Sequence, residues 1–582
     1  MADSRGWEPG SRFMPDEADL NDTLPPGDLL PPDVPAQEDP VPAQAPVEEA
    51  PARHGIGLVA LAIMGVHLLA RFGGLIQKMV LARFFGTSAV GDAAVAVEKV
   101  FQAIYYIPEE LLTHSLLPVF NRVRKAGEGE QAAWRVASLA GTLQTILLVL
   151  VTIVGMVGTE WLCGAILGQP DPGKQKDVDK FNLAVQMVRV AMLGLFCTSL
   201  GSLTYVILNA YKRFVTPALG DVAQKAGIIL GIVVMSVGFG RENPMGYAVG
   251  FILGGIFKIL THLVALGPKL KLVRPGFDFR NPALRELGLL MLPLLAGSLI
   301  GKARDLIELR IAWEASTIVT GTAASLDFAR KIVWMPVNTL PYALGIALFP
   351  FLADWALRRE REQVTKAFLT CSRMMIFLFA PITLACLLLG PQVVTVLYKS
   401  GKFDAASVLL TTKAFDVYAA GMVFYALEII ALQVYYAHRD TRTPFWIGLG
   451  ASTLQLTIAW LLGLRLGLGN VGIATGFAIA KTLKVGVMWY WLRPRLTGFD
   501  WPSLRRMIGQ TLVACAAMGV VVAGLRFAAL HVLDPTRKLH ALALLVAAAV
   551  VGLAVFLGVA QALGMEELRP LVSKLRQRLG RG

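Results

Sequence analysis

The feature that most constrains this chain is the number and length of its uncharged apolar runs. Residues 142–157, 226–237 and 541–559 contain no Asp, Glu, Lys or Arg, and comparable runs recur along the chain after residue 52. A bilayer core takes roughly 20 apolar residues per helix. Only 16% of the residues are charged and 55% are hydrophobic, against about 25% charged in an ordinary soluble chain. That excess is too large for one buried core. Reading the segments between Gly, Pro and charge clusters predicts about 14 spans, and hence an all-α polytopic membrane protein.

A formal charge of +14 invites a nucleic-acid reading, but its placement opposes one. Arg122, Arg124 and Lys125 follow the second span, Lys212 and Arg213 the fourth, and Lys269, Lys271, Arg274 and Arg280 the sixth. Arg358, Arg359 and Arg361 follow the eighth, Arg439 and Arg442 the tenth, and Arg493, Arg495, Arg505 and Arg506 the twelfth. The alternate loops are poorer in cations, Lys174, Lys176 and Lys180 excepted. Basic loops on one side mark the cytoplasm, so an even number of spans with both termini cytoplasmic is expected.

Residues 1–52 are rich in Pro, Asp, Glu and Ala. They show no apolar period and are expected to be a disordered acidic tail, without the basic start and short apolar core of a signal peptide. The five cysteines lie singly in or near spans, with no metal-ligand spacing, and read as packing residues. No HExxH, P-loop, dinucleotide fingerprint or nucleophile elbow occurs, and no loop is long enough to fold as an enzyme domain. A transporter is expected, not an enzyme, with no cofactor.

The chain contains itself twice. Asn209 to Pro217 closes the fourth span and opens the fifth with a basic turn ending in Thr216-Pro217; Tyr436 to Pro444 does the same with Thr443-Pro444. Glu98-Lys99 precedes Pro118 at the same spacing as Arg330-Lys331 precedes Pro350. Both pairs agree in order and nearly in offset, as in transporters built from related bundles about a central site. The reading gives an N-terminal lobe over 53–275 (spans 1–6), a C-terminal lobe over 276–497 (spans 7–12), two added spans over 498–564 and a basic cytoplasmic tail over 565–582.

Charges inside spans cost about 2.5–3.5 kcal/mol each on insertion scales. Arg71, Gln77 and Lys78 lie in the first span; Asp92, Glu98 and Lys99 in the second; Lys302, Arg304, Asp305, Glu308 and Arg310 in the seventh; Arg330 and Lys331 in the eighth. Later spans look cleaner, apart from Glu428. One reading pairs these charges structurally across helices, since Glu98 and Lys99 are adjacent and point apart. The other places them on a cavity whose cationic excess attracts a phosphate-bearing anion. Arg71, Asp92, Lys99, Lys302, Arg304, Arg330 and Lys331 are the candidate substrate-binding residues, with Gln77, Lys78, Glu98 and Asp305 as additional members. Pro108, Pro118, Pro336, Pro341 and Pro350 permit bends, and Gly250 with Gly254 permits close helix packing.

Several of these stretches resemble the MurJ (MviN) family of lipid II flippases, within the MOP superfamily. They are Ala82-Arg83-Phe84-Phe85-Gly86 followed by Asp92, then Ile207 to Phe214 with Pro217, and Tyr342 to Pro350. Tyr398 to Phe403 and Tyr435 to Pro444 complete the set. The resemblance runs from about residue 56 to 560. It implies two lobes around a V-shaped cavity, and alternating access that carries an undecaprenyl-pyrophosphate-linked precursor outward for peptidoglycan synthesis. It further implies a groove for the lipid tail on the last two helices, and an energy source in membrane potential or ion gradients. A bacterial inner-membrane location, contact with membrane lipids, a monomeric state and cell-wall synthesis partners are expected with it.

The sequence departs from the family's cationic pattern. Of the arginines the family places in spans one, two and eight, Arg71 is retained. A second falls on Gln77 beside Lys78, one near Tyr105, and one on Lys331 or Arg330. Pro108-Glu109-Glu110 replaces a glycine-rich end. Lys99, Lys302 and Arg304 are candidates to rebuild the site. Two alternatives stay open: an exporter of another lipid-linked saccharide, or a transport-inactive scaffold acting through the acidic tail. A multidrug antiporter would favour acidic sites.

Overall fold

The structure is a computed structural model that describes residues 53–568 apart from 126–128, 239–242, 533, 535 and 536. The expected acidic tail and nearly all of the basic tail lie outside the described residues. One compact unit runs from Leu58 onward. It is helical throughout, with no strand among the described residues.

The helices repeat a six-crossing pattern. The first copy is α1 (Arg53–Phe85), α2 (Ala89–Lys125), α3 (Gly129–Val157) with the short α4 (Thr159–Leu167), α5 (Gln175–Ala210), α6 (Val215–Gly238) and α7 (Met245–Leu266). The second is α8 (Pro282–Ala315), α9 (Thr322–Val337) with α10 (Leu340–Leu357), and α11 (Arg361–Leu388) with the short α12 (Gly390–Tyr398). It continues through α13 (Ala405–Ala420) with α14 (Met422–Ala437), α15 (Arg442–Ile458) and α16 (Gly469–Leu492). A short helix follows the third crossing in both, and a 3₁₀ turn ends both copies, at Gly267–Leu272 and Arg493–Arg495. Two further helices follow, α17 (Trp501–Val532) and α18 (Lys538–Ala562).

Among the described residues, nine helices are long and apolar enough to cross a membrane, and twelve crossings result if each of three bent pairs counts once. The helices α1 and α2 have 33 and 37 residues. Both are long enough to span a bilayer core; adding these two to twelve gives the fourteen expected from sequence. The eighth crossing bends by 41° between Gly345 and Ala347. In contrast, α2 runs unbroken through Pro108 and Pro118.

The two Thr-Pro turns also share a backbone conformation. Lys212 and Arg439 stand at equivalent places in the two Thr-Pro turns, and both adopt left-handed φ, 59° and 58°. Such a conformation costs an L-residue about 1–2 kcal/mol. The second turn is anchored by Asp440, which accepts the Thr443 N–H at 2.9 Å and pairs with Arg495 at 2.5 Å. Burial works against this carboxylate, yet the Thr443 donors and Arg495 hold it at about 2.

Glycines fuse α6 to α7. A Cβ on Gly231 would lie 2.4 Å from Gly250 Cα, and one on Gly227 would lie 2.6 Å from Gly254 Cα. The Gly250/Gly254 motif is therefore a true seam that gains its contact energy from backbone proximity. A further repeat escaped the sequence reading. Gly276-Phe277-Asp278-Phe279 precedes α8, and Gly498-Phe499-Asp500-Trp501 precedes α17. The added pair of helices thus begins with the linker that begins the second copy. Asp500 caps α17 through the Ser503 N–H at 3.0 Å.

Candidate functional site

The charges of α1 and α9 meet on facing surfaces. Arg71, Gly74 and Lys78 follow one another at helical spacing, so they share one face. Lys78 is buried and pairs with Glu98 of α2 at 2.6 Å and with Asp327 of α9. Glu98 also accepts from Gln102 at 3.0 Å and from the Tyr247 hydroxyl of α7, which in turn accepts from Gln77 at 3.2 Å. One lysine thus holds both nearby acids. Gly74 leaves room for Lys331, because a Cβ there would lie 2.7 Å from its Nζ; Lys225 of α6 lies against Gly73. Neither Lys331 nor Lys225 has a hydrogen bond or ion pair among the described residues. Arg71 reaches the Asn338 carbonyl, the Thr339 hydroxyl at 3.0 Å and the face of Tyr342, but no carboxylate. Three cations therefore stand close to α1 without an acid of their own.

A second group lies where α2, α8 and α9 meet. Lys99, Asp305, Glu308, Asp327 and Arg330 line a cavity of about 30 Å³, room for a water. Arg330 pairs with Glu308 and donates to the Tyr418 hydroxyl at 2.8 Å, and Gln455 donates to Glu308 at 2.5 Å. Arg304 spends its charge on adjacent Asp305 at 2.6 Å. Lys302 sits 4.6 Å from the Tyr106 ring centre, and Lys99 has no ion pair among the described residues.

Asp92 is wholly buried and serves the contact between copies. Its two oxygens accept the Gly321 and Ala324 N–H groups at 2.8 and 2.9 Å, at the start of α9. Those are two of the unsatisfied amides of a helix N-terminus. Beside it, Thr87 bonds Ser407 at 2.8 Å, and Lys402 N–H bonds the Arg83 carbonyl at 2.9 Å. The halves are closed at this end.

The sequence profile described as lipid II flippase MurJ matches residues 81–540. That span is most of the chain. The chain belongs to the lipid II flippase MurJ family. The lipid II flippase MurJ of Burkholderia cenocepacia is 25% identical over 471 residues, covering 79% of this chain and 88% of that protein. The probable lipid II flippase MurJ of Rickettsia prowazekii is 23% identical over 498 residues, covering 84% and 94%. Among solved structures, a lipid II flippase MurJ in an inward closed conformation aligns with TM-score 0.69 at 17% identity, over 88% of this chain and 99% of that one. An inward-facing multidrug resistance MATE family transporter of the MOP superfamily aligns with TM-score 0.61 at 17% identity, over 76% and 98%. The last two show the shared fold.

As a MurJ family member the chain is a multi-pass protein of the bacterial inner membrane, a transporter and not an enzyme. Its later spans are less clean than their sequence suggested. Glu428 of α14 holds both Lys481 and Lys484 of α16, at 2.8 and 2.6 Å. Lys258 of α7 is 0% exposed and meets Asp221 of α6 at 2.9 Å, the Tyr105 hydroxyl at 2.6 Å and Glu109 at 4.0 Å. Where the MurJ pattern puts a second-span arginine, this chain has Tyr105 with a lysine brought from α7. Lys258 was missed because it is a single charge in an apolar run; Lys225 stands four residues after Asp221 and Asp327 beside the more conspicuous Arg330-Lys331, and neither stood out from its neighbours. The signal available was position, since the repeat offset that relates the Thr-Pro turns carries Lys258 to within one residue of Lys484.

Proposed function

We propose that this MurJ family member flips lipid II across the inner membrane, and that Arg71, Lys331 and Lys225 receive its pyrophosphate. The observation that carries this reading is the set of cations around α1 left without carboxylates. An unpaired charge in an apolar setting is unfavourable unless a counter-charge arrives, and a pyrophosphate supplies it. Lys78, Glu98 and Gln77 position that site. Lys99, Arg330 and Asp305 form the adjoining polar contact, and Lys302 offers one further cation.

With both termini in the cytoplasm, Asp92 and the start of α9 lie toward the outer face. Closure at that end then leaves the site reachable from inside. Release outward requires the Asp92 contacts with α9 to break, with the two six-helix copies rocking against each other. Membrane potential or an ion gradient drives the cycle, and the flippase acts as a monomer beside the cell-wall synthesis enzymes.

The test is complementation of a flippase-depleted bacterium, read as lipid II accessible at the outer surface. Rescue by the wild type and failure of Arg71→Gln/Lys331→Gln is the expected pattern; no rescue by a well-inserted wild type overturns the reading. A second cargo, another polyprenyl-linked saccharide, is favoured by Gln77 and Tyr105 standing where the family has arginines. Accumulation of a different lipid-linked intermediate in a deletion strain would identify it.

A further inference from the structure

Where α16 ends and α17 begins, Trp489, Arg493, Leu496, Phe499, Trp501 and Arg505 enclose a pocket of about 340 Å³. The pocket shares no residue with the charged groups around α1. Its floor is aromatic: Phe499 lies 4.5 Å from Trp501 and 6.2 Å from Trp489 between ring centres. The Trp489 indole N–H is buried with no hydrogen-bond partner, although such a donor is normally satisfied when buried.

The cations here are divided into two kinds. Arg373 is held by Glu566 and Glu567, and Arg495 by Asp440. Arg493 and Arg505 have no carboxylate partner among the described residues. Arg493 only lies over the Tyr490 and Trp501 rings, at 5.5 and 5.6 Å, and Arg505 makes no polar contact among the described residues. Asp500, next to Trp501, is committed to capping α17. Around the rim, Tyr490 and Trp491 are exposed. Exposed Trp and Tyr beside arginines at the ends of two spans mark the headgroup level of a bilayer.

We propose that this pocket binds the headgroup of an anionic membrane phospholipid. The phosphate bridges the Arg493 and Arg505 guanidinium groups, and the glycerol and upper chains lie on Leu496, Phe499 and Trp501. Arginine suits a phosphate through its paired donors, and a basic pocket at the cytoplasmic headgroup level fits an anionic lipid by charge. The Trp489 N–H supplies a further donor. The first copy of the linker serves as an internal contrast. Its Phe277 and Phe279 are 63% and 69% exposed, whereas Trp501 is 37% exposed, so there the same motif forms no such floor.

The experiment uses purified full-length protein, stripped of lipid and titrated with phosphatidylglycerol or phosphatidylcholine, counting bound lipid by native mass spectrometry. The wild type is expected to retain one phosphatidylglycerol in preference to phosphatidylcholine. Arg493→Gln and Arg505→Gln should each weaken it about tenfold, the effect of losing one charge-assisted hydrogen bond. Arg505→Lys should recover part of it, and Arg274→Gln in the other linker should change nothing. Equal retention of the two lipids, unchanged binding in both glutamine variants, or displacement by inorganic phosphate would each overturn the proposal, the last by showing a soluble-anion site. A measurement on the wild type needs no variant: phosphatidylglycerol with brominated chains should quench tryptophan fluorescence more than the matching phosphatidylcholine, and equal quenching counts against the site.

Discussion

Around α1, one lysine, Lys78, lies between two acids, Glu98 and Asp327, and further cations stand beside it unpaired. Between α14 and α16 the arrangement is inverted, with one acid, Glu428, between two lysines. Both sites are buried and both lie inside spans, yet they differ in what they leave over. In the second, both lysines contact one carboxylate, so each has a partner although one positive charge is left over. In the first, Arg71, Lys225 and Lys331 contact no carboxylate. Charge in a span is therefore not a sufficient mark of a pathway; a cation that no carboxylate contacts is the better one.

The strongest way to break that contrast is Glu428→Ala. It strands two buried lysines, and removing one partner of a buried pair costs about 3–5 kcal/mol. The thermal midpoint in detergent should fall steeply and the protein level with it. Next in size is Lys331→Gln. Here folding should hold, because no pair is broken, while lipid II appearance outside should fall by about tenfold, the worth of one charge-assisted contact. A large loss of stability in this variant would mean that Lys331 is structural and that the two sites do not differ. Lys481→Gln sharpens the comparison: Lys484 still neutralises Glu428, so a smaller loss of stability than in Glu428→Ala and near-normal transport are expected.

How far the sequence could have led to this contrast is instructive. The six-crossing repeat was legible because its turns are written in short polar motifs, Thr216-Pro217 and Thr443-Pro444. The charged spans were legible because charge is conspicuous among apolar residues. Pairing was not, since it depends on how each helix is rotated and on which neighbour it meets. Glu98 turned to α1 whereas adjacent Lys99 turned to the α8–α9 side. Arg304, expected to rebuild a cationic site, instead faces its own neighbour Asp305. Gly74 gave no local hint that it makes room for Lys331.

The smallest effect concerns the turn that fixes the second copy. The Asp440 carboxyl is held at about 2 when folded, against roughly 3.9 in an unfolded chain. Its contribution is complete above the unfolded value and is lost as pH falls through the folded one. Asp440→Asn should lower the midpoint slightly at neutral pH and reduce the further loss between about pH 4 and 2. Parallel acid-unfolding curves for the two proteins would show that the Arg495 contact carries no weight.

The Asp92 contact has one more consequence. Its carboxylate grips backbone N–H groups of Gly321 and Ala324, atoms present in every amino acid except proline. A screen for residues that loosen this end would therefore recover Asp92 itself from one side of the contact. From the other side it would recover only changes that displace the start of α9, such as any side chain at Gly321, whose Cβ would collide with the Thr87 carbonyl oxygen. The partner is genetically silent, and a map of transport-sensitive side chains would show half of a contact that is physically whole.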